Sequence, residues 1–299
     1  MTLQALTANY NSAEYLAATL RSAVEDNRIP VLLVDDGSTD GSDRIAEGFP
    51  EVTVIRQTNA GPSVARNRAI LESRAEFVLF LDSDDLLRPG YREAFEAALA
   101  SHPDADVFVC GMEVVDEAGA ALTRHDAPTL KPDPYRSVLR DPVPTNGIVV
   151  RRRLFHRVGL FDPAIRHAED WDLWLRLAAV TDRWVRMDHH LAVYRLRGGS
   201  LSKDGEKMWE GIRTVIRRAW GRKNLAWPQR VRVLSSAYWR GARYSYATGC
   251  SAPIRRALQR GDLRLPARIL LRHPVFWPHF AADGAAWLFR RAPTQRGKK

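Results

Sequence analysis

An alternation of short apolar runs with helix-like segments is the feature that most constrains the fold of this chain. The runs 31–34 (VLLV) and 77–81 (FVLFL) are uninterrupted, as in strands that are buried on both faces of a sheet. The segments between runs carry apolar residues at helical spacing, and Ser12 stands where an N-cap would begin the first of them. This repeated order predicts an α/β fold with a doubly wound, mixed and mostly parallel sheet.

Acidic residues follow two of these apolar runs directly. Asp35 and Asp36 come after the first run, and the stretch 82–85 (DSDD) comes after the second. Ligands of doubly wound sheets bind beyond the carboxyl ends of the strands, so these residues are candidates for a binding site. The chain has no GxGxxG after its first strand and no GxxxxGK[ST] anywhere, which disfavours dinucleotide dehydrogenases and P-loop NTPases.

The DSDD stretch indicates a metal-assisted phosphate site. Carboxylates repel a phosphate, but they can hold a hard divalent cation that binds phosphates in turn. In extended backbone the i, i+2 spacing places Asp82 and Asp84 on one side, where they would share Mg²⁺ or Mn²⁺ with a nucleotide diphosphate. The structural alternative is that aspartates cap a helix predicted around residues 85–100, with Asp85 as the candidate cap.

Cysteine content and the N-terminus bear on the cellular compartment. Cys110 and Cys250 lack the spacing of a zinc site or a disulfide framework. The start of the chain lacks the basic and apolar regions of a signal peptide, and no stretch reaches the roughly 18 apolar residues of a membrane span. We therefore expect a cytoplasmic protein.

Charge divides the chain into two parts. Residues 1–200 carry 23 Lys and Arg against 30 Asp and Glu, a balance of −7, whereas residues 201–299 carry 22 against 5, a balance of +17. The alternation of strands and helices also stops near residue 200. We predict a catalytic domain at 1–203 and a basic, Trp-rich helical extension at 204–299.

The basic extension contains six of the nine tryptophans. Basic helices with interleaved tryptophan suit peripheral contact with an anionic membrane, here the inner face of the cell membrane. The alternative is that these helices cover one edge of the sheet and leave their arginines in solvent. No nucleic-acid-binding motif accompanies the charge, so we do not expect a nucleic-acid partner.

Five stretches together resemble the family 2 glycosyltransferases of GT-A (Rossmann-like) fold, over about residues 3–202. In chain order they are 7–26 (TANYNSAEYLAATLRSAVED), 32–42 (LLVDDGSTDGS), 59–70 (NAGPSVARNRAI), 76–85 (EFVLFLDSDD) and 146–178 (NGIVVRRRLFHRVGLFDPAIRHAEDWDLWLRLA). The resemblance implies a UDP-linked or similar nucleotide-sugar donor, a divalent metal, and inverting transfer to a glycan or glycolipid.

The resemblance also implies roles on the donor side. Asp84 matches the metal ligand of the family's DxD motif, and Asp82 assists at the metal or ribose. The nucleotide-sugar contacts are Thr7, Tyr10, Asp35, Asp36, Arg66, Ser83 and Arg197, of which Asp36 reads the base edge. Ala8 and Asn9 stand where the family commonly has Pro-Thr. This strand therefore departs from the family at positions that would contact the base. For Arg66, a surface position is the alternative to a diphosphate contact.

On the acceptor side, Asp170 resembles the family's general base, flanked by Glu169 and Trp171. A single displacement needs one carboxylate to take the acceptor's proton, whereas a retaining glycosidase needs a pair. Trp171 is placed to stack on an acceptor sugar. The alternative is an amphipathic helix in which Trp171 and Trp174 are core residues.

Arg197 is a second departure, because family members often have a histidine metal ligand there. Arginine cannot ligate a metal, since it stays protonated and has no free lone pair. Either water completes the metal shell, or Arg197 itself neutralises the leaving diphosphate, which is the reading we favour. A catalytically silent nucleotide- or carbohydrate-binding protein on the same scaffold is the second hypothesis.

Overall fold

The structure is a computed structural model that describes residues 2–130, 133–141, 143–198 and 205–220. Its nine strands are β1 (Leu3–Asn9), β2 (Val31–Asp35), β3 (Val52–Arg56), β4 (Phe77–Phe80), β5 (Leu86–Leu87), β6 (Val107–Val115), β7 (Ala121–His125), β8 (Ile148–Arg151) and β9 (Trp184–Arg195). Its helices are α1 (Ala13–Val24), α2 (Ser42–Glu47), α3 (Pro62–Glu72), α4 (Tyr91–Ser101), α5 (Pro134–Arg140), α6 (Phe155–Val158), α7 (Glu169–Val180) and α8 (Gly205–Trp220).

All described strands belong to one sheet, in the order β3-β2-β1-β4-β8-β6-β9-β5, with β7 paired to β6. The first four strands of that order are parallel, as are β6 and β9. Antiparallel pairings enter through β5, β7 and β8. The predicted α/β fold with a doubly wound, mixed sheet is confirmed.

Helices cover both faces of the sheet, because successive strand residues point to opposite sides. In β4, Val78 and Phe80 face one core with residues of α3, α5, α7 and α8. Phe77 and Leu79 face the other core with residues of α1 and α4. β2 and β4 read as continuous apolar runs because both of their faces are buried.

Two local predictions are wrong. Ser12 precedes α1, but its side chain does not cap the helix; Asp40 Oδ2 accepts the hydrogen bond from the Ala13 N–H instead (2.8 Å). The helix expected around residues 85–100 begins only at Tyr91, because Leu86 and Leu87 pair with β9 as strand β5. Asp85 is therefore not a cap of α4.

The described part of the predicted extension is α8, which packs into the core beside α7. Val215, Ile216 and Ala219 are buried there. Among the described residues, no helix combines the length and the apolar character needed to cross a bilayer. The predicted helices beyond residue 220 lie outside the described residues, and the boundary at 203/204 stays a prediction.

Candidate functional site

Strands β1, β2 and β4 end at one edge of the sheet, where Asn9 and Asp35 tie the loops together. Asn9 Nδ2 donates to Asp35 Oδ1 (2.8 Å) and to Ser42 Oγ (2.8 Å). Asp35 also accepts from the backbone N–H of Ser38 (3.1 Å). Asn9 and Asp35 are both buried, so their first role is to shape the loop after β2. The sequence analysis named Asn9 only as a departure from the family pattern and gave it no role, although an amide at a strand end beside an acidic loop was a usable signal.

Asp36 is also occupied by the protein. Its carboxylate accepts hydrogen bonds from Gln57 Nε2 (2.8 Å), Ala60 N (2.9 Å) and Gly61 N (2.8 Å), which hold the segment before α3. A carboxylate offers about four lone-pair sites, so capacity for one further donor is left. The next residue, Gly37, has φ +78°, and a Cβ there would lie 3.0 Å from the backbone N of Asn59. Only glycine fits this turn without strain.

The two predicted contacts from the β1 region differ in access. Tyr10 directly follows β1 and is half exposed, so a ligand can reach it. Thr7 lies within β1, is fully buried, and its hydroxyl has no hydrogen-bond partner among the described residues. The geometry therefore keeps Tyr10 as a donor-side candidate and gives Thr7 no path to a ligand.

The DSDD stretch is a turn, not extended backbone, because Asp85 N–H donates to the Asp82 carbonyl oxygen (3.1 Å). The Ser83 side chain is buried and donates to Ser12 Oγ (2.8 Å), away from the carboxylates. Our stated reason for pairing Asp82 with Asp84 is thus wrong, but the two still interact. Burial and then repulsion from Asp82 raise the pKa of Asp84.

Asp85 is a structural residue. Its buried carboxylate accepts from the backbone N–H of Arg195 (2.9 Å) and from Asn146 Nδ2 (3.1 Å), so it joins the turn to β9 and to the segment before β8. Burial, together with the neighbouring Asp84 and Asp82, raises its pKa well above the usual range. Of the three aspartates, only Asp82 and Asp84 are available to a ligand.

Arg66 links the two halves of the site. Its Nη2 lies 2.6 Å from Asp82 Oδ1, its Nη1 lies 2.8 Å from Glu169 Oε1, and its guanidinium lies over the Phe161 ring (5.6 Å). Burial alone would lower the pKa of Arg66, but the two carboxylates raise it overall. The surface alternative for Arg66 is wrong, because the side chain is 9% exposed.

Arg197 contacts the other carboxylate of the turn. Its Nε lies 2.5 Å from Asp84 Oδ2. The Arg197 guanidinium also lies over the ring of Tyr15 (5.3 Å), as does that of Arg195 (5.4 Å). Tyr15 is a site neighbour that sequence reasoning missed, because its position in α1 indicated only a helix face.

Asp170 lies in the first turn of α7, next to Glu169, which pairs with Arg66. Thr145 Oγ1 donates to its Oδ2 (2.9 Å) and the Trp171 N–H donates to its Oδ1 (2.7 Å). Burial, and then the neighbouring Glu169, raise the pKa of Asp170 to about 6, against the lowering effects of its two donors and of Arg66. Asp170 is therefore a carboxylate at neutral pH with unusual proton affinity.

Trp171 is not an acceptor-side residue. It is 4% exposed, belongs to the core with Trp174, and donates from Nε1 to the Val138 carbonyl oxygen of α5 (2.8 Å). The predicted stacking on an acceptor sugar is wrong, because α5 packs over this side of α7. Glu169 remains at the site, but through its pair with Arg66.

The donor set of the turn fits a divalent cation. Among the described residues, no group of three or more His, Cys, Asp or Glu side chains could hold a metal. Asp82 and Asp84 supply two carboxylates, and magnesium is commonly held by one or two carboxylates plus substrate phosphates. Each carboxylate already has a guanidinium partner, so a cation would share or replace those partners.

A separate cavity of about 660 Å³ lies on the α4 side of the sheet. Its lining includes Arg88, Arg124 and Glu113, and Glu113 is buried between the two arginines. None of its lining residues is one of the predicted site residues. The candidate site is instead the open edge between the DSDD turn and the start of α7.

Comparison with protein families gives one match: a model described as Glycosyl transferase family 2 matches residues 5–158. The succinoglycan biosynthesis protein ExoU of Rhizobium meliloti is 28% identical over 232 residues, covering 69% of this chain and 67% of that protein. The first curated relatives are glycosyltransferases of Rickettsia species, and the chain spans 60% of their length.

Solved structures show the same fold. TarS of S. aureus, in complex with UDP-GlcNAc, matches with a TM-score of 0.64 and 22% identity over 83% of this chain and 73% of that chain. The mannosyltransferase PcManGT of Pyrobaculum calidifontis, in complex with GDP-Man and Mn²⁺, matches with a TM-score of 0.57 and 18% identity over 91% of this chain and 81% of that chain.

The raised pKa of Asp170 predicts a pH-dependent gain in stability for Asp170→Asn. Because the folded-state pKa of about 6 exceeds the ordinary 3.8, ionised Asp170 costs stability above pH 6, and that cost vanishes below about pH 4. The variant should therefore melt at a higher temperature than the parent at pH 8 and equally at pH 4. Melting curves between pH 4 and pH 8 measure this difference, with a substitution at an exposed position, Asp182→Asn, as the control. A difference in melting temperature that does not change with pH contradicts the prediction.

Proposed function

The chain belongs to glycosyl transferase family 2, and from that premise we propose that it is an inverting, metal-dependent hexosyltransferase. It moves a sugar from a nucleotide-sugar, UDP-linked, to a glycan or lipid-linked acceptor in surface polysaccharide synthesis. The observation that carries the proposal is the Arg66 bridge, which joins Asp82 on one side to Glu169, next to Asp170, on the other. One guanidinium thus sets donor-side and acceptor-side carboxylates at a fixed separation.

On the donor side, the base and ribose lie over the loops after β1 and β2. Tyr10 offers an exposed ring, and Asp36 retains capacity for one more donor beyond its three loop contacts. Asp35 acts through the shape of the loop. TarS binds UDP-GlcNAc on the same fold, which supports a donor of this class.

Asp84, assisted by Asp82, holds Mg²⁺ or Mn²⁺ in this proposal. When bound, the cation neutralises charge on the diphosphate of the departing nucleotide. Arg197 already lies against Asp84 and also suits a diphosphate, because the planar guanidinium matches phosphate oxygens. We assign Arg197 to neutralising the leaving group together with the cation.

Asp170 acts as the general base. The acceptor hydroxyl loses its proton to Asp170 as its oxygen attacks the anomeric carbon, and the bond to the diphosphate oxygen breaks with its electron pair. Attack from the face opposite the leaving group inverts the configuration. Thr145 and the Trp171 N–H hold the carboxylate in place, and a pKa of about 6 suits a base that works near neutral pH.

A catalytically silent binding protein is the alternative. Its support is the Arg197 position and Ala8, whose side chain cannot hydrogen-bond a ligand. Against it stand the raised pKa and the two fixed hydrogen bonds of Asp170, which a binding protein does not require. Release of nucleoside diphosphate in the presence of acceptor separates the two.

The acceptor is proposed to be membrane-borne, with the protein on the cytoplasmic side. The balance of +17 in residues 201–299 opposes the −7 of residues 1–200, so an anionic surface would attract one end of the chain and repel the other. Peripheral contact through residues 204–299 would bring the site to a lipid-linked glycan.

Asp84→Ala should abolish metal-dependent nucleotide binding and leave the fold intact, since it removes a charge from a crowded acidic turn. A ligand that binds only the folded state raises the melting temperature, so a screen of UDP and nucleotide-sugars with and without Mn²⁺ measures binding. Exposed Asp104→Ala is the matched control. An unchanged Mn²⁺-dependent shift in Asp84→Ala would remove the metal assignment.

Asp170→Asn should bind the donor as the parent does and lower turnover by about a hundredfold or more, the usual contribution of a general base. Initial rates of nucleoside diphosphate release and donor affinity are measured on the same preparation, with Asp182→Asn as control. If donor affinity falls while turnover of the bound donor survives, Asp170 belongs to the nucleotide site.

The full chain should sediment with vesicles rich in phosphatidylglycerol at low salt and dissociate at high salt, because exposed charges are screened. A chain ending at residue 220 should lose this binding; the cut leaves α8, which is part of the core. Neutral phosphatidylcholine vesicles are the control. If the full-length protein does not bind anionic vesicles at low salt, the result supports the alternative in which these helices cover one edge of the sheet.

A further inference from the structure

The segment Asp162–Ala168, called here the base loop, carries the chain into Glu169 and Asp170. Its last residue, Ala168, has φ +61°, a left-handed conformation that a residue with a Cβ rarely adopts. Such a conformation persists only where the surrounding structure imposes it. The position of Asp170 therefore depends on what holds the base loop.

One support comes from α3. Asn67 donates from Nδ2 to the Phe161 carbonyl oxygen (2.8 Å) and accepts at Oδ1 from the Phe161 N–H (2.8 Å). The Phe161 ring in turn lies under Arg66. This pair fixes the start of the base loop.

The second support comes from α8. Arg218 Nη1 lies 2.5 Å from Asp162 Oδ2 at the start of the base loop. At its end, Gly211 faces His167 so closely that a Cβ on Gly211 would overlap the His167 carbonyl oxygen. That oxygen is backbone, so it cannot move aside as a flexible side chain would.

The α8 helix is itself anchored to the protein core. Tyr135 Oη donates to the Ala219 carbonyl oxygen (2.8 Å), and Val215, Ile216 and Ala219 are buried in the core that contains Trp171. A shift of α8 would therefore disturb α5 and α7 together. Interiors packed in this way transmit displacement because they contain little free volume.

We propose that α8 is a clasp that positions the general base, with Gly211 and Arg218 as its positioning residues. The proposal rests on the proposed role of Asp170. Gly211 permits close approach of the helix to the base loop, and Arg218 ties the start of that loop. Helix α8 would then be part of the catalytic machinery and not only of the basic extension.

Gly211→Ala distinguishes the close approach of α8 to the base loop from the effect of helix propensity alone. Alanine favours a helix over glycine, so without the close approach the change should be neutral or stabilising. We expect faster amide hydrogen exchange at Glu169–Trp171, turnover lower by about tenfold or more, and donor affinity within about twofold, as a base displaced by about an ångström would give. The acidic limb of the pH–rate profile should move to lower pH, because a more exposed Asp170 has a lower pKa.

Arg218→Gln and Arg217→Gln form a matched pair on the same helix. Both arginines are exposed, so the charge change is equal, but only the change at Arg218 removes the ion pair with Asp162 of the base loop. The rate of amide hydrogen exchange at Glu169–Trp171 should rise about threefold or more in Arg218→Gln and stay at the parent value in Arg217→Gln. In Arg218→Lys it should return partly toward the parent value. This pair decides the question if Gly211→Ala does not fold, which its melting curve reports.

The outcomes separate the clasp from the enzyme assignment. If Asp170→Asn turns over normally, the proposed function fails regardless of α8. If Asp170→Asn is inactive but Gly211→Ala and Arg218→Gln match the parent in exchange and turnover, the clasp is overturned and α8 is only a cover. Equal effects of Arg217→Gln and Arg218→Gln would also overturn it, because they indicate a general charge effect.

Discussion

A buried guanidinium between two carboxylates is the interaction on which the rest of the site depends. Removing Arg66 from water is costly, and that cost is offset only because Asp82 and Glu169 both lie within hydrogen-bonding distance of it. The two carboxylates come from a strand-end turn and from a helix start. Because one guanidinium contacts both carboxylates, Arg66 determines how far apart the two sides of the cleft lie.

The remaining aspartates of the edge show why a buried strand ends in so much negative charge. Asp35 and Asp36 accept hydrogen bonds from backbone N–H groups of the loops, and Asp85 accepts one from the last residue of β9. Asp82 and Asp84 point to arginine side chains and remain accessible to a ligand. The acidic cluster therefore divides into residues that build the loops and residues that serve the cleft.

Local pattern was enough for the parallel half of the sheet, because continuous apolar runs and turn residues are properties of neighbouring positions. The common edge of β1, β2 and β4 then followed from parallel topology, and with it the grouping of Asp36 and Asp82. Pattern could not identify the burial of Trp171, since α5 covers it only in three dimensions. Nor could it pair Arg66 with Glu169, which is 103 positions away in the chain.

Charge at the cleft explains why the proposed diphosphate donor needs a cationic partner there. With Asp170 ionised, the four carboxylates of Asp82, Asp84, Glu169 and Asp170 face two guanidiniums, those of Arg66 and Arg197. An entering diphosphate adds negative charge to an already negative site, so it requires compensation by a cation or by release of Arg197 from Asp84. Release of Arg197 brings no new positive charge into the cleft and takes a guanidinium away from Asp84, so a divalent cation is the more complete compensation.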